Sequence, residues 1–491
     1  MRPCSEGNST TRTSVTARTT VAITTALFLI LAFQSTVAAS EMKLHASDPS
    51  GADDFGNSVA ISGNTLVVGG PGNDVGLHQS GSIYVFVRSG ISWTQQVRLE
   101  PTDAGAEEWF GWSVAIDGDT IVAGKPNDDD ACTWGCDSGS AYVFVRSGAT
   151  WSQQAKLTAD DGGEWDYFGR TVVIQGDTIV VGAPQGGPLW HQGAAYVFLR
   201  SGTTWMQQAQ LVASDGSSWD EFGGALAIDG ETILVGARLD GVADGCLSDE
   251  TCGSGSAYVF VRSGGVWTEQ AKLTADDAST WDHFGRSVAI SGDVALVGAP
   301  CRSEIYFECG SFNRRPGRVY AFARTGSSWS QEFTFSAPAS APMDYFGDSL
   351  SILGDAVLIG APGDDERGSD SGAAYVFIRS GPTWEPYARF AGTWGSGGVY
   401  FGVTVALEHE SAVVGSPGDH DWGYDAGAAF VFEVDIPEPT SGVAACSSCP
   451  VLPLPPENHV GEGESGPTHG LQHSYPDPLT ACMARPRDYR M

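Results

Sequence analysis

Between residues 168 and 211 the chain reads FGRTVVIQGDTIVVGAPQGGPLWHQGAAYVFLRSGTTWMQQAQL, four short apolar runs separated by polar and glycine-bearing breaks. Thr171–Ile174 is β-branched and apolar, Gln175-Gly176 turns the chain, and Thr178–Gly182 runs back. Ala195–Arg200 alternates, with Tyr196 and Phe198 on one face and Val197 and Leu199 on the other. Ser201-Gly202 turns it again into Trp205–Leu211. The pattern predicts a meander of four antiparallel strands and no helix. A sheet with two apolar faces cannot bury both alone, so it needs neighbours of its own kind.

The chain supplies them. Phe-Gly recurs at Phe55, Phe110, Phe168, Phe222, Phe284, Phe346 and Phe401. Each copy is followed by a Gly-x-Pro-like element, such as Gly182-Ala183-Pro184 or Gly298-Ala299-Pro300, and then by a Gly-x-x-aromatic-x-Phe strand, such as Gly139–Phe144. Seven copies at a nearly fixed period, four strands in each, predict an all-β fold: a seven-bladed β-propeller of four-stranded antiparallel blades. The seventh copy lacks a Trp-bearing fourth strand, whereas Met42–Ser47 resembles fourth-strand ends and precedes the first Phe-Gly. The N-terminal strand is therefore expected to complete blade seven and close the ring.

Phe-Gly followed by Gly-Ala-Pro resembles the FG-GAP repeat, the unit of the propeller that heads integrin α subunits. The resemblance covers residues 41–435 and implies a secreted or surface-held binding propeller. It does not carry over the integrin calcium loops. The hairpins Ile116-Asp117-Gly118-Asp119 and Ile290-Ser291-Gly292-Asp293 are too short to wrap an ion that needs six or more oxygens.

Residues 1–39 read as a signal peptide: Arg2, Arg12 and Arg18 precede the apolar run Val21–Phe33, and Val37-Ala38-Ala39 offers a cleavage site. Thirteen apolar residues are short for a bilayer, so no transmembrane span is expected in the mature chain, an uncleaved anchor being the alternative. From Ile436 to the end, repeated prolines predict a tail without regular structure. The formal charge of −33 argues against a nucleic-acid partner, because phosphate binding needs clustered Lys and Arg. Cys132 and Cys136, Cys246 and Cys252, and Cys301 and Cys309 fall as pairs within single loops, which predicts local disulfides in an oxidising compartment. Zinc is the competing reading, although each loop offers only two thiols and no nearby His.

Candidate chemistry concentrates in the second loops and the inter-blade loops, which a propeller places on one face. Asp364, Asp365 and Asp370, and Asp419, Asp421 and Asp425, could chelate calcium, or could simply serve the turns. Trp165-Asp166, Trp219-Asp220 and Trp281-Asp282 mark three consecutive blades. Such a row could stack on a sugar or hold a peptide, or its indoles could wedge between blades. No catalytic motif is present. The favoured reading is a non-catalytic module that recognises an extracellular protein or glycan. One alternative is a polysaccharide hydrolase or lyase using Asp166, Asp220, Asp282 and His283; another is a structural surface protein.

Overall fold

The structure is a computed structural model that describes residues 41–74, 77–129, 136–189, 191–241, 253–301, 316–381, 383–392, 397–434 and 436. The chain divides into two units, Met1–Pro439 and Thr440–Met491, and the second lies wholly outside the described residues. The leader, and the tail beyond residue 436, also lie outside them. Among the described residues there are 28 strands and no helix, hence no helix long and apolar enough to cross a membrane.

The strands form seven antiparallel four-stranded sheets, the blades of a propeller. Blade three is typical, with strands Thr171–Gln175, Thr178–Ala183, Ala194–Ser201 and Thr204–Leu211. Its first hairpin is a two-residue loop between Gln175 and Thr178, and Gly176 takes φ 57°, a left-handed value that a tight hairpin needs at its first central position. The third and fourth strands slip register between Val197 and Phe198, a bulge repeated at the same place in the other blades with eight-residue outer strands. Blade seven takes Val405–Glu408, Ser411–Ser416 and Ala428–Glu433 from the end of the chain. Its outer strand is Glu41–Leu44, paired antiparallel from Glu41↔Phe432 to Leu44↔Ala429.

The core sits between blades. One cluster joins Val67, Ile83 and Val85 of blade one to Phe110, Ile121 and Tyr142 of blade two. Six more clusters repeat this around the ring, and the one between blades seven and one includes Leu44, Ala46, Val413 and Val431 beside Phe55, Leu66 and Tyr84. The Phe of each Phe-Gly is fully buried or nearly so, edge-on or tilted against an aromatic residue of its own blade's third strand, as Phe168 is against Tyr196 and Phe198.

The rims repeat as well. Trp151, Trp205, Trp267 and Trp329 each donate Nε1–H to a glutamine on the preceding blade's fourth strand, Gln96, Gln154, Gln208 and Gln270. An arginine from the adjoining strand stacks over each indole, as Arg146 does over Trp151 at 5.1 Å. Nearer the axis, the Ser58, Ser113, Thr171, Ser287 and Ser349 hydroxyls each donate to the Phe-Gly glycine carbonyl of the next blade.

Candidate functional site

Each inter-blade loop lies against the second loop of the blade before it. Trp165 N–H donates to the Cys136 carbonyl at 2.5 Å, Tyr167 N–H to Asp137 at 3.1 Å and Phe168 N–H to Ser138 at 3.0 Å. Ala52, Asp54 and Phe55 make the same three bonds to Tyr424, Asp425 and Ala426, between blades one and seven. A short parallel bridge, such as Phe168↔Gly139 or Phe55↔Gly427, anchors the stitch at every Phe-Gly but Phe346. To present these amides, the residues three and one before every Phe take positive φ: Trp165 68°, Trp219 77° and Trp281 63°, but equally Ala52, Glu107 and Met343. The left-handed backbone thus belongs to the stitch, not to the indole.

The three tryptophans differ in exposure. Trp165 and Trp219 remain about half exposed, at 46% and 45%, while Trp281 is more covered. Trp219 stacks on the buried His191 ring at 4.3 Å, nearly parallel, so one indole face is occupied and the other meets solvent. The acids between them turn inward. Asp166, Asp220 and Asp282 accept hydrogen bonds from the amides three residues earlier, Gly163 at 2.7 Å, Ser217 at 2.5 Å and Ser279 at 2.8 Å. Asp53, Glu108 and Asp344 do the same in blades one, two and six. Asp220 and Asp282 are buried and Asp166 partly so, which takes them out of the solvent-facing row that the sequence suggests. Burial pushes Asp220 up to about 7, and Asp53 and Asp344 up to about 6.

Beneath these loops lies a polar cluster that the sequence reading missed. A buried third-strand tyrosine faces a cation on the fourth strand, and both meet loop aspartates. Lys272 pairs with Asp215 at 2.7 Å and Asp240 at 2.6 Å, and the Tyr258 hydroxyl donates to one of them and reaches the other, at 2.9 Å each. Arg389 and Tyr375 meet Asp364 at 2.8 Å and 2.7 Å, and Lys43 meets Asp419 and Asp421 at 2.8 Å and 2.5 Å. The signal was available: Arg98, Lys156, Lys272, Arg389 and Lys43 each stand one place before the last apolar residue of a fourth strand.

The calcium candidates are therefore placed as follows. Asp364, Asp419 and Asp421 hold side-chain cations. Asp365 accepts the Asp370 amide at 2.7 Å, and Asp370 and Asp425 sit at φ 52° and 53°, the left-handed turn position that Asp tolerates. Among the described residues no three His, Cys, Asp or Glu converge as a metal-holding group. Of the loop cysteines, Cys136 and Cys301 are buried; Cys132, Cys246, Cys252 and Cys309 lie outside the described residues.

From the second loop of blade seven the sequence reading took the aspartates and passed over the aromatic residues. There Trp422 and Tyr424 are 55% and 76% exposed, resting on His45 at 4.9 Å and His420 at 5.1 Å.

A family model for the FG-GAP repeat matches seven segments of this chain: 39–86, 93–144, 151–198, 205–260, 267–322, 329–377 and 384–432. The chain belongs to the FG-GAP repeat family. Among curated proteins, the FG-GAP propeller is similar to integrin alpha-M of Mus musculus, 24% identical over 282 residues. That match takes in 52% of this chain and 22% of the integrin, so the chain spans less than a quarter of its relative. Among solved structures it is similar to Sqt1 of Saccharomyces cerevisiae, at 12% identity and a TM-score of 0.44, covering 80% of this chain and all of that one. The FG-GAP propeller is, in general terms, a propeller of the binding or adhesion type.

Proposed function

We propose that this FG-GAP propeller is a secreted or surface-held recognition module without catalytic activity, and that it engages a protein ligand through the face built by its second and inter-blade loops. The observation that carries this reading is where large apolar side chains meet solvent. Trp165, Trp219, Met343, Tyr400, Trp422 and Tyr424 are all exposed on loops of that one face. On the other face the turns are short and, apart from His409-Glu410, glycine-bearing, and among the described residues the exposed large apolar side chains there are Ile91, Met206 and Val266 on the outer hairpins. Exposed aromatic rings on a rigid scaffold give contact area at little entropic cost, and they are enriched where binding energy concentrates. The surrounding aspartates and the charge of −33 favour a partner with a basic surface.

Repetition supports recognition over catalysis. The acids that an enzyme would recruit occur in six of the seven blades, each held by its own loop amide, rather than as one differentiated pair. The test is a panel of immobilised basic and acidic extracellular proteins beside a glycan array, probed with the chain and with Trp219→Ala and Trp422→Ala. Binding to basic proteins, weakened by about 1–3 kcal/mol in either variant at unchanged melting temperature, is expected. Binding confined to glycans would redirect the reading to a lectin; turnover of polysaccharide would replace it with an enzyme.

A further inference from the structure

Blade two departs from the other six at one interior position. Lys125 ends its second strand, fully buried, where the others have Gly70, Ala183, Ala237, Ala299, Ala361 and Ser416. The Lys125 ammonium meets Glu108 at 2.5 Å, the Asp103 carbonyl at 3.2 Å, the Tyr142 hydroxyl at 3.4 Å and Asp128 at 3.5 Å.

Every one of these oxygens has a counterpart in blade four. Lys125 pairs with Ser140 and Ala237 with Ser256 at the same place in the ladder. The amides of Asp128 and Asp240 donate back to the carbonyls of residues 125 and 237 at 3.3 Å and 3.2 Å. Tyr258 stands for Tyr142, Asp215 for Asp103 and Asp220 for Glu108. Even the second lysine is reproduced: Lys156 bonds Asp103 and Asp128 at 2.9 Å and 2.7 Å, as Lys272 bonds Asp215 and Asp240 at 2.7 Å and 2.6 Å. What blade four lacks is the ammonium of Lys125. Three carboxylates face two ammonium groups in blade two and only one in blade four.

A second observation agrees. Asp220 is 1% exposed, and while its Oδ2 accepts the Ser217 amide, its Oδ1 has no hydrogen-bond partner. A buried carboxylate oxygen without a partner is costly, and it marks a place where a ligand belongs.

We propose that blade four binds a potassium- or ammonium-sized monovalent cation among Asp220, Asp240, Tyr258 and the Asp215 carbonyl, in the place that the Lys125 ammonium takes in blade two. The size follows from the stand-in. Contacts of 2.5–3.5 Å surround an ammonium, whereas calcium draws six to eight oxygens in to about 2.3–2.6 Å. Lys272 already binds two of the carboxylates, which disfavours a divalent ion beside it.

The test is thermal unfolding of the full chain at pH 8 in potassium, ammonium, calcium or choline chloride at equal ionic strength, about 0.15 M. Potassium or ammonium is expected to raise the melting temperature by about 1–3 °C over choline. Asp220→Asn should erase that difference. Ala237→Lys should raise the melting temperature in choline and make it indifferent to the added cation. Equal melting in all four salts would overturn the proposal, as would a rise specific to calcium or a potassium effect that survives Asp220→Asn. If Ala237→Lys fails to fold, Asp220→Asn decides alone.

Discussion

At the scale of the residue, the inward-turned carboxylates give the propeller a predictable response to acid. Burial holds Asp220 near 7 and Asp53, Asp54 and Asp344 near 6, whereas an Asp in an unfolded chain titrates near 4. Between those values the folded chain binds protons that the unfolded chain does not. The stability these groups contribute is complete below about pH 4 and is lost as pH rises through 6 and 7. Asp103 and Asp215 oppose this at the acid end. Burial raises them, but hydrogen bonds from Lys156 and Tyr142, and from Lys272 and Tyr258, outweigh it and leave both below the ordinary carboxylate value. Their contribution disappears only as pH falls below about 4. The melting temperature should therefore be higher at pH 5.5 than at pH 8, by several degrees, and Asp220→Asn should flatten the slope between pH 6 and 8. Differential scanning calorimetry across that range decides it: a melting temperature that climbs steadily to pH 8 would show these carboxylates to be ionised throughout.

At the scale of the element, the outer strand of blade seven is the segment on which most depends. Removing residues 41–47 takes away the ladder Glu41–Leu44 and withdraws Leu44 and Ala46 from the cluster shared by blades seven and one. Loss of one buried leucine alone costs about 2–5 kcal/mol, so urea denaturation of this deletion should show a loss of roughly 5 kcal/mol or more. A midpoint matching the parent's would mean the strand contributes nothing to closure. The loop cysteines make a second claim at this scale. Non-reducing peptide mapping should recover the pairs 132–136, 246–252 and 301–309, and a pair bridging two blades would refute local pairing. The strands themselves were legible because alternation and turn glycines are local: Thr171–Ile174 extends by one residue to Gln175, and Ala195–Arg200 by one at each end. The acid of each Trp-Asp pair was misplaced because its burial depends on the second loop of its own blade folding back over it, with the Gln185, Leu239 and Cys301 amides bonded to the Asp166, Asp220 and Asp282 carbonyls, a contact across a hairpin that no local pattern encodes. The cations one place before Leu99, Leu157 and Leu273 were legible as a repeat, but they stand at half-buried positions where a long charged side chain reads as surface.

At the scale of the whole molecule, seven near-equivalent seams share the load of stability, and each combines an apolar cluster, a loop stitch and a rim tryptophan. The seam between blades seven and one departs from this pattern. Its outer strand has four residues where the others have eight, and Trp93 finds the Met42 thioether near its amide. The direction of the pairing there also has a mechanical meaning. Because Glu41 faces Phe432 and Leu44 faces Ala429, both ends of the chain leave the ladder at the same end. Tension applied between residues 41 and 436 peels the two strands apart one hydrogen bond at a time, instead of shearing all of them together. Held by those two points in an optical trap, the ring should open at this seam first and at low force; pulled from residues 44 and 436, at opposite ends of the same ladder, the strands are loaded in shear and should hold until much higher force. A propeller anchored by its tail and tugged at its beginning would behave as a zip that opens before any blade is lost.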